Sequence, residues 1–321
     1  MNEPNEEGPR AIKKMNVKRA EEAFDSPSGS SDSVGSWTPF DSRFDPLQYS
    51  KGKSHFQFAF LFVWSSARRS LLDDFYAFCR IADDLVDEPK HAQLRQQALE
   101  QLRAWADHRQ QTGHFFWDRL NQSATRFGIP SEVFRGILRG VSKDSPGGPS
   151  TQGFSDWSQV EEYIEGVAVD VGRGVLSILG AHHSQMNSYA RAMGRCVQYI
   201  NFCRDVEVDW QEARTYCPDF ELHKLNVQRG DSLSAEQARQ LREIYFKRAL
   251  IEWRRASAFS WKCFSPELMV RIYMEAALRW WQFGDRQKMS NGQKFLFALK
   301  HGIRFFAERL KLMPPWMKQK T

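Results

Sequence analysis

From Tyr49 onward the apolar residues of this chain recur at helical rather than strand spacing. Between Ser66 and Val86 they fall at Leu71, Leu72, Phe75, Phe78, Cys79, Ala82 and Val86, one face of a helix. The stretches 91–107, 157–180, 185–212, 234–263 and 266–283 repeat the pattern, each ended by Gly, Pro or polar turns. Pro146-Gly147-Gly148-Pro149 is the clearest internal breaker. No run of alternating β-branched residues points to a sheet, so the pattern predicts an all-α fold in one domain, without a repeat of fixed period. Residues 1–45 lack the periodicity. They are polar, mixed in charge and carry a Ser/Gly tract from Ser26 to Ser36, which predicts a disordered tail. The helical domain is expected over 46–312, followed by a short basic tail over 313–321.

Composition sharpens this only in part. The 321 residues include 24 Phe and 11 Trp, a load that suits either a Phe-rich core or a long apolar pocket. The net charge of +6 is a mild excess that favours anionic partners. Without a zinc finger, an RNA-binding aromatic motif or a dense basic tract, nucleic acid is not expected among them. The 5 cysteines, Cys79, Cys196, Cys203, Cys217 and Cys263, form no CxxC pair and predict reduced thiols. The longest candidate apolar run, His55 to Trp64, is far short of the ~20 residues that span a bilayer. The N-terminal residues carry no signal-peptide pattern, and their Glu residues argue against a transit peptide. A cytoplasmic chain is expected, soluble or peripheral at a membrane.

Two acidic stripes carry the candidate chemistry. The first reads Tyr76-Ala-Phe-Cys-Arg80-Ile-Ala-Asp83-Asp84-Leu-Val-Asp87; Tyr76, Arg80, Asp83 and Asp87 share one helical face. The second reads Gln198-Tyr-Ile-Asn201-Phe-Cys-Arg204-Asp205-Val-Glu-Val-Asp209; Gln198, Asn201, Asp205 and Asp209 line up at spacings of 3, 4 and 4. Mg²⁺ takes hard oxygen ligands, usually one or two carboxylates completed by water and phosphate oxygens. Two facing helices with a carboxylate pair each suit several such ions around one diphosphate, with Arg80 and Arg204 adding charge-assisted hydrogen bonds. A lone DxxxD is more often a solvated face. Here both pairs sit in strongly apolar segments, where an unpaired carboxylate is costly, and that shifts the balance to metal binding.

At these residues the sequence resembles the squalene/phytoene synthase family. Tyr76 through Asp87 is similar to that family's first aspartate-rich motif. Gln198, Asn201, Arg204, Asp205 and Asp209, followed by Arg214, Tyr216 and Pro218, resemble its second. The resemblance runs over roughly 50–310. Weaker matches are Ser54-His55-Phe56, Asp144 after Gly140-Val-Ser-Lys, Tyr163 before Val167-Ala168 and Val171-Gly172, Arg271-Ile-Tyr273, and Phe283-Gly-Asp-Arg286. The resemblance implies the isoprenoid synthase fold, one helical domain around a central cavity, in a transferase of prenyl groups. It implies head-to-head condensation of two farnesyl or geranylgeranyl diphosphates through a cyclopropyl diphosphate to a C30 or C40 isoprenoid, such as squalene or phytoene, in terpenoid, carotenoid or hopanoid biosynthesis. Asp83, Asp87, Asp205 and Asp209 would carry Mg²⁺ (or Mn²⁺), supported by Asp84 and Asn201. Arg80 and Arg204 would grip diphosphate, with Ser54, Gln198, Asn201, Arg214 and Arg286 as further binding residues. Tyr76, Tyr163 and Tyr216 would lie around the reacting ends. An aromatic-lined, closed cavity would protect the cation from water.

The chain also departs from the family pattern. Val167-Ala168-Val169-Asp170-Val171-Gly172 puts Val169 in place of a small residue and adds Asp170. Val169 would shorten a tail pocket if it lined one. Asp170 is expected to pair with Arg173 in preference to serving as a ligand or base. Gly166 stands where eukaryotic squalene synthases usually have Tyr, and Cys203 where Leu is common. Toward the C-terminus, Phe295, Leu296, Phe297, Leu299, Ile303, Phe305, Phe306 and Leu310 alternate with Lys294, Lys300, Arg304, Arg309 and Lys311. A docked amphipathic helix is the favoured reading, and a peripheral membrane contact the second. Two other functional classes stay open: a Mg²⁺-dependent terpene cyclase or lyase, and a non-catalytic assembly factor. Because Asp83, Asp87, Asp205 and Asp209 are all present, the non-catalytic class is disfavoured. No nucleotide fingerprint is readable, so use of NADPH is open, as are chain length and oligomeric state.

Overall fold

The computed structural model describes residues 38–50, 63, 65–87, 94–108, 111–181 and 184–259. These residues form helices α1 (Pro46–Ser50), α2 (Ser66–Asp87), α3 (Arg95–His108), α4 (Phe115–Arg126), α5 (Ser131–Val141) and α6 (Pro149–Gln152). They continue with α7 (Trp157–Ile164), α8 (Val171–Ile178), α9 (Met186–Gln211), α10 (Asp219–Lys224) and α11 (Ala235–Ser257). No strand occurs among the described residues. None of their helices is long and apolar enough to cross a membrane. Ser54, Cys263, Arg271, Tyr273, Phe283, Arg286, the stretch 266–283 and the basic segment 294–320 lie outside the described residues.

Helix α2 forms where the periodic face was read. It buries Leu71, Leu72, Phe75, Phe78, Ile81, Ala82 and Leu85. Opposite it, α3, α4 and α5 supply Trp105, Trp117 and Phe134. Phe78 meets Phe134 edge-to-face at 5.0 Å, and Trp105 meets Trp117 at 5.2 Å and Phe134 at 5.3 Å. Each such pair adds about 0.5–1.5 kcal/mol beyond its buried area. Part of the aromatic load therefore goes into packing. Residues just before α1 pack on this cluster: Trp117 donates its indole N–H to the Pro39 carbonyl at 2.6 Å, and Phe40 packs on its ring at 5.0 Å.

A second core joins α9 to α11, the most extensive helix pair among the described residues, around Met193, Tyr199, Phe202, Leu241, Tyr245 and Phe246. Helix α11 starts at a capping box. Ser234 accepts from the Gln237 N–H while the Gln237 side chain accepts from the Ser234 N–H, satisfying two donors that the first turn leaves open. Between α7 and α8 the helix widens into a π-turn, Glu165–Asp170. There the backbones of α5 and the π-turn lie in contact. A Cβ at Gly166 would sit 2.6 Å from the Gly136 carbonyl oxygen and from the Gly140 Cα. Gly166 has no room for the Tyr expected of eukaryotic relatives. Val169, fully buried, lays its backbone on Gly194 of α9 and belongs to the core. Asp170 is buried and accepts from Arg173 at 2.5 Å, the pairing expected of it, with burial pushing its carboxyl upward. Cys79, Cys196, Cys203 and Cys217 are free thiols.

Candidate active site

The first acidic stripe sits on the last three turns of α2. Arg80 pairs with Asp84, which is fully buried, and donates to Asp83 Oδ2 at 3.2 Å. Tyr76 is half-buried one turn earlier, close enough for its phenol to act on the Arg80 charge. The second stripe sits on α9. Asn201 donates to Gln198 at 3.2 Å, and Arg204 holds Asp205 with two hydrogen bonds of 2.7 and 2.5 Å. Each stripe thus carries its own arginine beside its own carboxylates, as helical spacing dictates.

Two residues outside the stripes complete the site. Arg214, just past the C-terminus of α9, donates from Nη1 to Asp87 at 2.7 Å and also pairs with Glu212. Asp144, in the 3-10 turn Ser142–Asp144 after α5, accepts from the Tyr163 hydroxyl at 2.6 Å and from the Tyr216 hydroxyl at 3.2 Å. The two tyrosine rings stack at 5.1 Å and 21°, and Phe202 of α9 stacks on Tyr216 at 4.3 Å and 9°. Three stacked aromatic rings therefore stand beside Asp144. A small pocket next to them is lined by Phe202, Asp209, Arg214, Thr215, Tyr216 and Tyr245.

Crowding of like charges sets the electrostatics. Asp83 is pushed up to about 7 by burial and by Asp87, against the opposing Arg80, with Asp84 and Asp144 adding to the rise. Its side chain still keeps 45% of its surface open, so water reaches it and tempers the effect of burial. Asp209 is pushed up to about 8 by burial and by Asp205, with Glu212 and Asp144 contributing against Arg214. Asp144 rises to about 6 through burial and Asp87, although hydrogen bonds from Tyr163 and Ser150 and the Arg214 charge oppose it. Asp87 is raised by burial, against Arg214. The Tyr163 and Tyr216 phenols are held far above their ordinary range by burial and the Asp144 charge, so both stay neutral.

Asp144 is therefore the carboxylate that both helices share: Asp83 and Asp87 of α2 and Asp209 of α9 each interact with it. The donor set is oxygen only. Among the described residues no three His, Cys, Asp or Glu side chains converge as a ready-made metal cage. The structure brings Asp83, Asp87, Asp209, Arg214, Tyr163 and Tyr216 into one electrostatic neighbourhood. It keeps Arg204 on its own helix with Asp205, and Gln198 with Asn201. Asp144 is the residue that sequence reading underweighted. Its only signal was a weak motif match, because its partners come from 19 and 72 positions away.

Comparison with known proteins bears on the fold and the family. A crystal structure of a dehydrosqualene synthase superposes with a TM-score of 0.67, at 20% identity over 82% of this chain and 95% of that one. A squalene synthase from Alicyclobacillus acidocaldarius gives 0.53, at 21% identity over 83% and 91%. Both likenesses concern the all-α isoprenoid synthase fold. Among curated proteins, a presqualene diphosphate synthase of Rhodopseudomonas palustris is 27% identical over 169 residues, 51% of this chain and 58% of that protein. The corresponding synthase of Zymomonas mobilis is 29% identical over 173 residues, 51% and 56%. A phytoene synthase of Mycobacterium tuberculosis is 27% identical over 160 residues, 50% and 52%. The chain spans just over half the length of the curated relatives it matches. A sequence model described as squalene/phytoene synthase matches residues 50–257, and the chain belongs to that family.

Proposed function

We propose that this chain is a prenyl transferase that condenses two prenyl diphosphates head to head through a cyclopropyl diphosphate, with farnesyl diphosphate and a C30 product favoured. The observation that carries the reading is the single acidic recess formed by Asp83, Asp87, Asp144 and Asp209, bridged by Arg214 and walled by the Tyr163–Tyr216–Phe202 stack. Names of similar proteins support the shorter chain: two of the relatives are presqualene diphosphate synthases and the better superposing fold is a dehydrosqualene synthase.

Mg²⁺ fits the residues present. Asp83 and Asp209 each carry a proton affinity raised in part by a neighbouring carboxylate, a repulsion that a dication relieves. Asp83 and Asp87 on one side, and Asp205 and Asp209 on the other, would hold the ions, with Asp84 and Asn201 in support. Bound there, Mg²⁺ would supply charge neutralisation as the allylic C–O bond ionises.

The chain's own groups do the rest. Arg80 and Arg204 donate to diphosphate oxygens and hold them toward the recess. Stacked neutral rings of Tyr163, Tyr216 and Phe202 present π-faces to an allylic cation, worth about 2 kcal/mol when desolvated. Attack by the second substrate's double bond then forms the cyclopropane with loss of one proton, and the recess offers carboxylate and diphosphate oxygens to take it.

Purified protein, Mg²⁺ and each prenyl diphosphate test this, with hydrocarbons and dephosphorylated intermediates read by mass spectrometry. A coupled C30 product lost in Asp83→Ala and Asp205→Ala is expected. Diphosphate binding with no coupled product from either substrate would overturn the reading in favour of a cyclase or a non-catalytic relative.

A further inference from the structure

The backbone that carries Tyr216 is fastened from behind. Thr215 N–H donates to the Ser150 carbonyl at 3.0 Å, and Asp219 N–H to the Phe154 carbonyl at 3.1 Å, so segments 150–154 and 215–219 run side by side. Arg229, in the turn after α10, enters this crossing. Its Nε donates to Asp219 Oδ1 at 2.9 Å. Nη1 faces the carbonyls of Ser150 at 3.4 Å and Thr215 at 3.5 Å, and Nη2 faces that of Cys217 at 3.4 Å. Each carbonyl contact is long, but the three converge on one guanidinium that is anchored by Asp219 and only 20% exposed.

The crossing is built around this side chain. Gly153 has φ +125°, and a Cβ there would lie 2.6 Å from Asp219 Oδ2 and 3.2 Å from Arg229 Nε. One tied segment carries Tyr216. The other reaches back toward Asp144, with Ser150 Oγ donating to the Lys143 carbonyl at 3.4 Å. The guanidinium thus spans the two pieces of chain whose separation sets the 3.2 Å bond from Tyr216 to Asp144. Its own partners are Asp219 and backbone carbonyls.

We propose that Arg229 is a positioning residue. By clamping the carbonyls of Thr215 and Cys217 to that of Ser150, it keeps the Tyr216 hydroxyl on Asp144 and the Tyr216 ring against those of Tyr163 and Phe202. Its consequence for turnover rests on the proposed condensation and on the place of Tyr216 at the reacting ends. Its structural part does not.

The test uses Arg229→Met and Arg229→Lys, each in the native and Tyr216→Phe backgrounds. With tyrosine labelled by ¹³C at Cζ, the Tyr216 resonance is assigned by its loss in Tyr216→Phe. Arg229→Met is expected to shift and broaden that resonance and leave Tyr199 unmoved; Arg229→Lys, which keeps the charge but not the fork, falls between. In turnover, Arg229→Met is expected to lower kcat about tenfold with KM nearly unchanged, as a small misplacement of a reacting group does. The same substitution should add nothing in the Tyr216→Phe background. An unaltered Tyr216 resonance in folded Arg229→Met protein, or an equal loss of kcat in both backgrounds, would overturn the proposal. If Arg229→Met does not fold, Asp219→Asn, which frees the guanidinium, is read by the same criteria. Should the native protein give no coupled product, the condensation reading fails and the resonance alone decides the clamp.

Discussion

Arg214 donates from Nη1 to Asp87 Oδ1 at 2.7 Å, joining residues 127 positions apart. This ion pair ties the end of the first aspartate-rich helix to the chain that leaves the second. Both groups are mostly covered, with 17% and 31% of their side chains exposed. Replacing Arg214 with Gln leaves Asp87 facing Glu212 and the recess carboxylates without its cation. Such a loss costs about 2–3 kcal/mol, or roughly 30- to 150-fold in kcat/KM. Steady-state kinetics with the prenyl diphosphate measures it; a fall of less than about threefold would mean the bridge is dispensable.

Gly166 and Gly140 are the second pressure point. Each would place a Cβ within 2.9 Å of backbone atoms of the other segment, and backbone cannot swing aside as a side chain tip can. Gly166→Ala is therefore expected to destabilise the fold by about 1–3 kcal/mol, the usual range for overpacking. Urea unfolding would show a lower midpoint. An unchanged midpoint would mean that α5 and the π-turn slide apart freely.

These two contacts mark where sequence reading succeeds and where it stops. The acidic stripes on α2 and α9 were legible because 3.6-residue periodicity is local: Asp83 and Asp87, or Asp205 and Asp209, share a face wherever the helix lies. Helices α4 and α5 escaped the reading. Their stripes, Val133, Phe134, Ile137, Leu138 and Val141 on α5 and Phe116, Trp117, Leu120 and Ala124 on α4, are regular but short, at 11 and 12 residues. The π-turn is illegible in principle, since Glu165–Asp170 repeats the helical pattern on either side and only its packing on Gly136, Gly140 and Gly194 explains the extra residue. Asp144 stayed in the background for a similar reason. A carboxylate in a turn next to Pro146 and Gly147 reads as solvated until Tyr163 and Tyr216 arrive from distant helices.

Arg173 supports a prediction about the buried departure from the family pattern. It donates to Asp170 at 2.5 Å and to Glu165 at 2.7 Å, and Asp170 is buried over Gly136. Arg173→Met strands the Asp170 carboxylate in a low-dielectric site and should destabilise the chain by about 3 kcal/mol. Adding Asp170→Asn removes the stranded charge, so the double variant should recover part of that loss. Chemical denaturation of the four proteins in this cycle measures the coupling; additive losses would show that the pair is not a unit.

The recess carboxylates predict how the metal-free protein responds to pH. Asp144, Asp83 and Asp209 are pushed up to about 6, about 7 and about 8, above the 3.8 of an unperturbed Asp. A carboxyl raised in this way holds its proton longer in the folded chain than in the unfolded one. Between pH 4 and pH 8 the folded state therefore binds more protons, and stability falls as pH rises through that window. Each kcal/mol lost corresponds to roughly 1–2 °C in Tm for a chain of this length. Thermal unfolding in a metal chelator at pH 5, 6, 7 and 8 should show that decline. Mg²⁺ with inorganic diphosphate should flatten it at the alkaline end, because cations among ionised carboxylates relieve their mutual repulsion. In Asp83→Asn and Asp209→Asn the chelated protein should already be flatter without metal. A Tm that climbs with pH over this range would place the dominant titrating groups elsewhere in the fold.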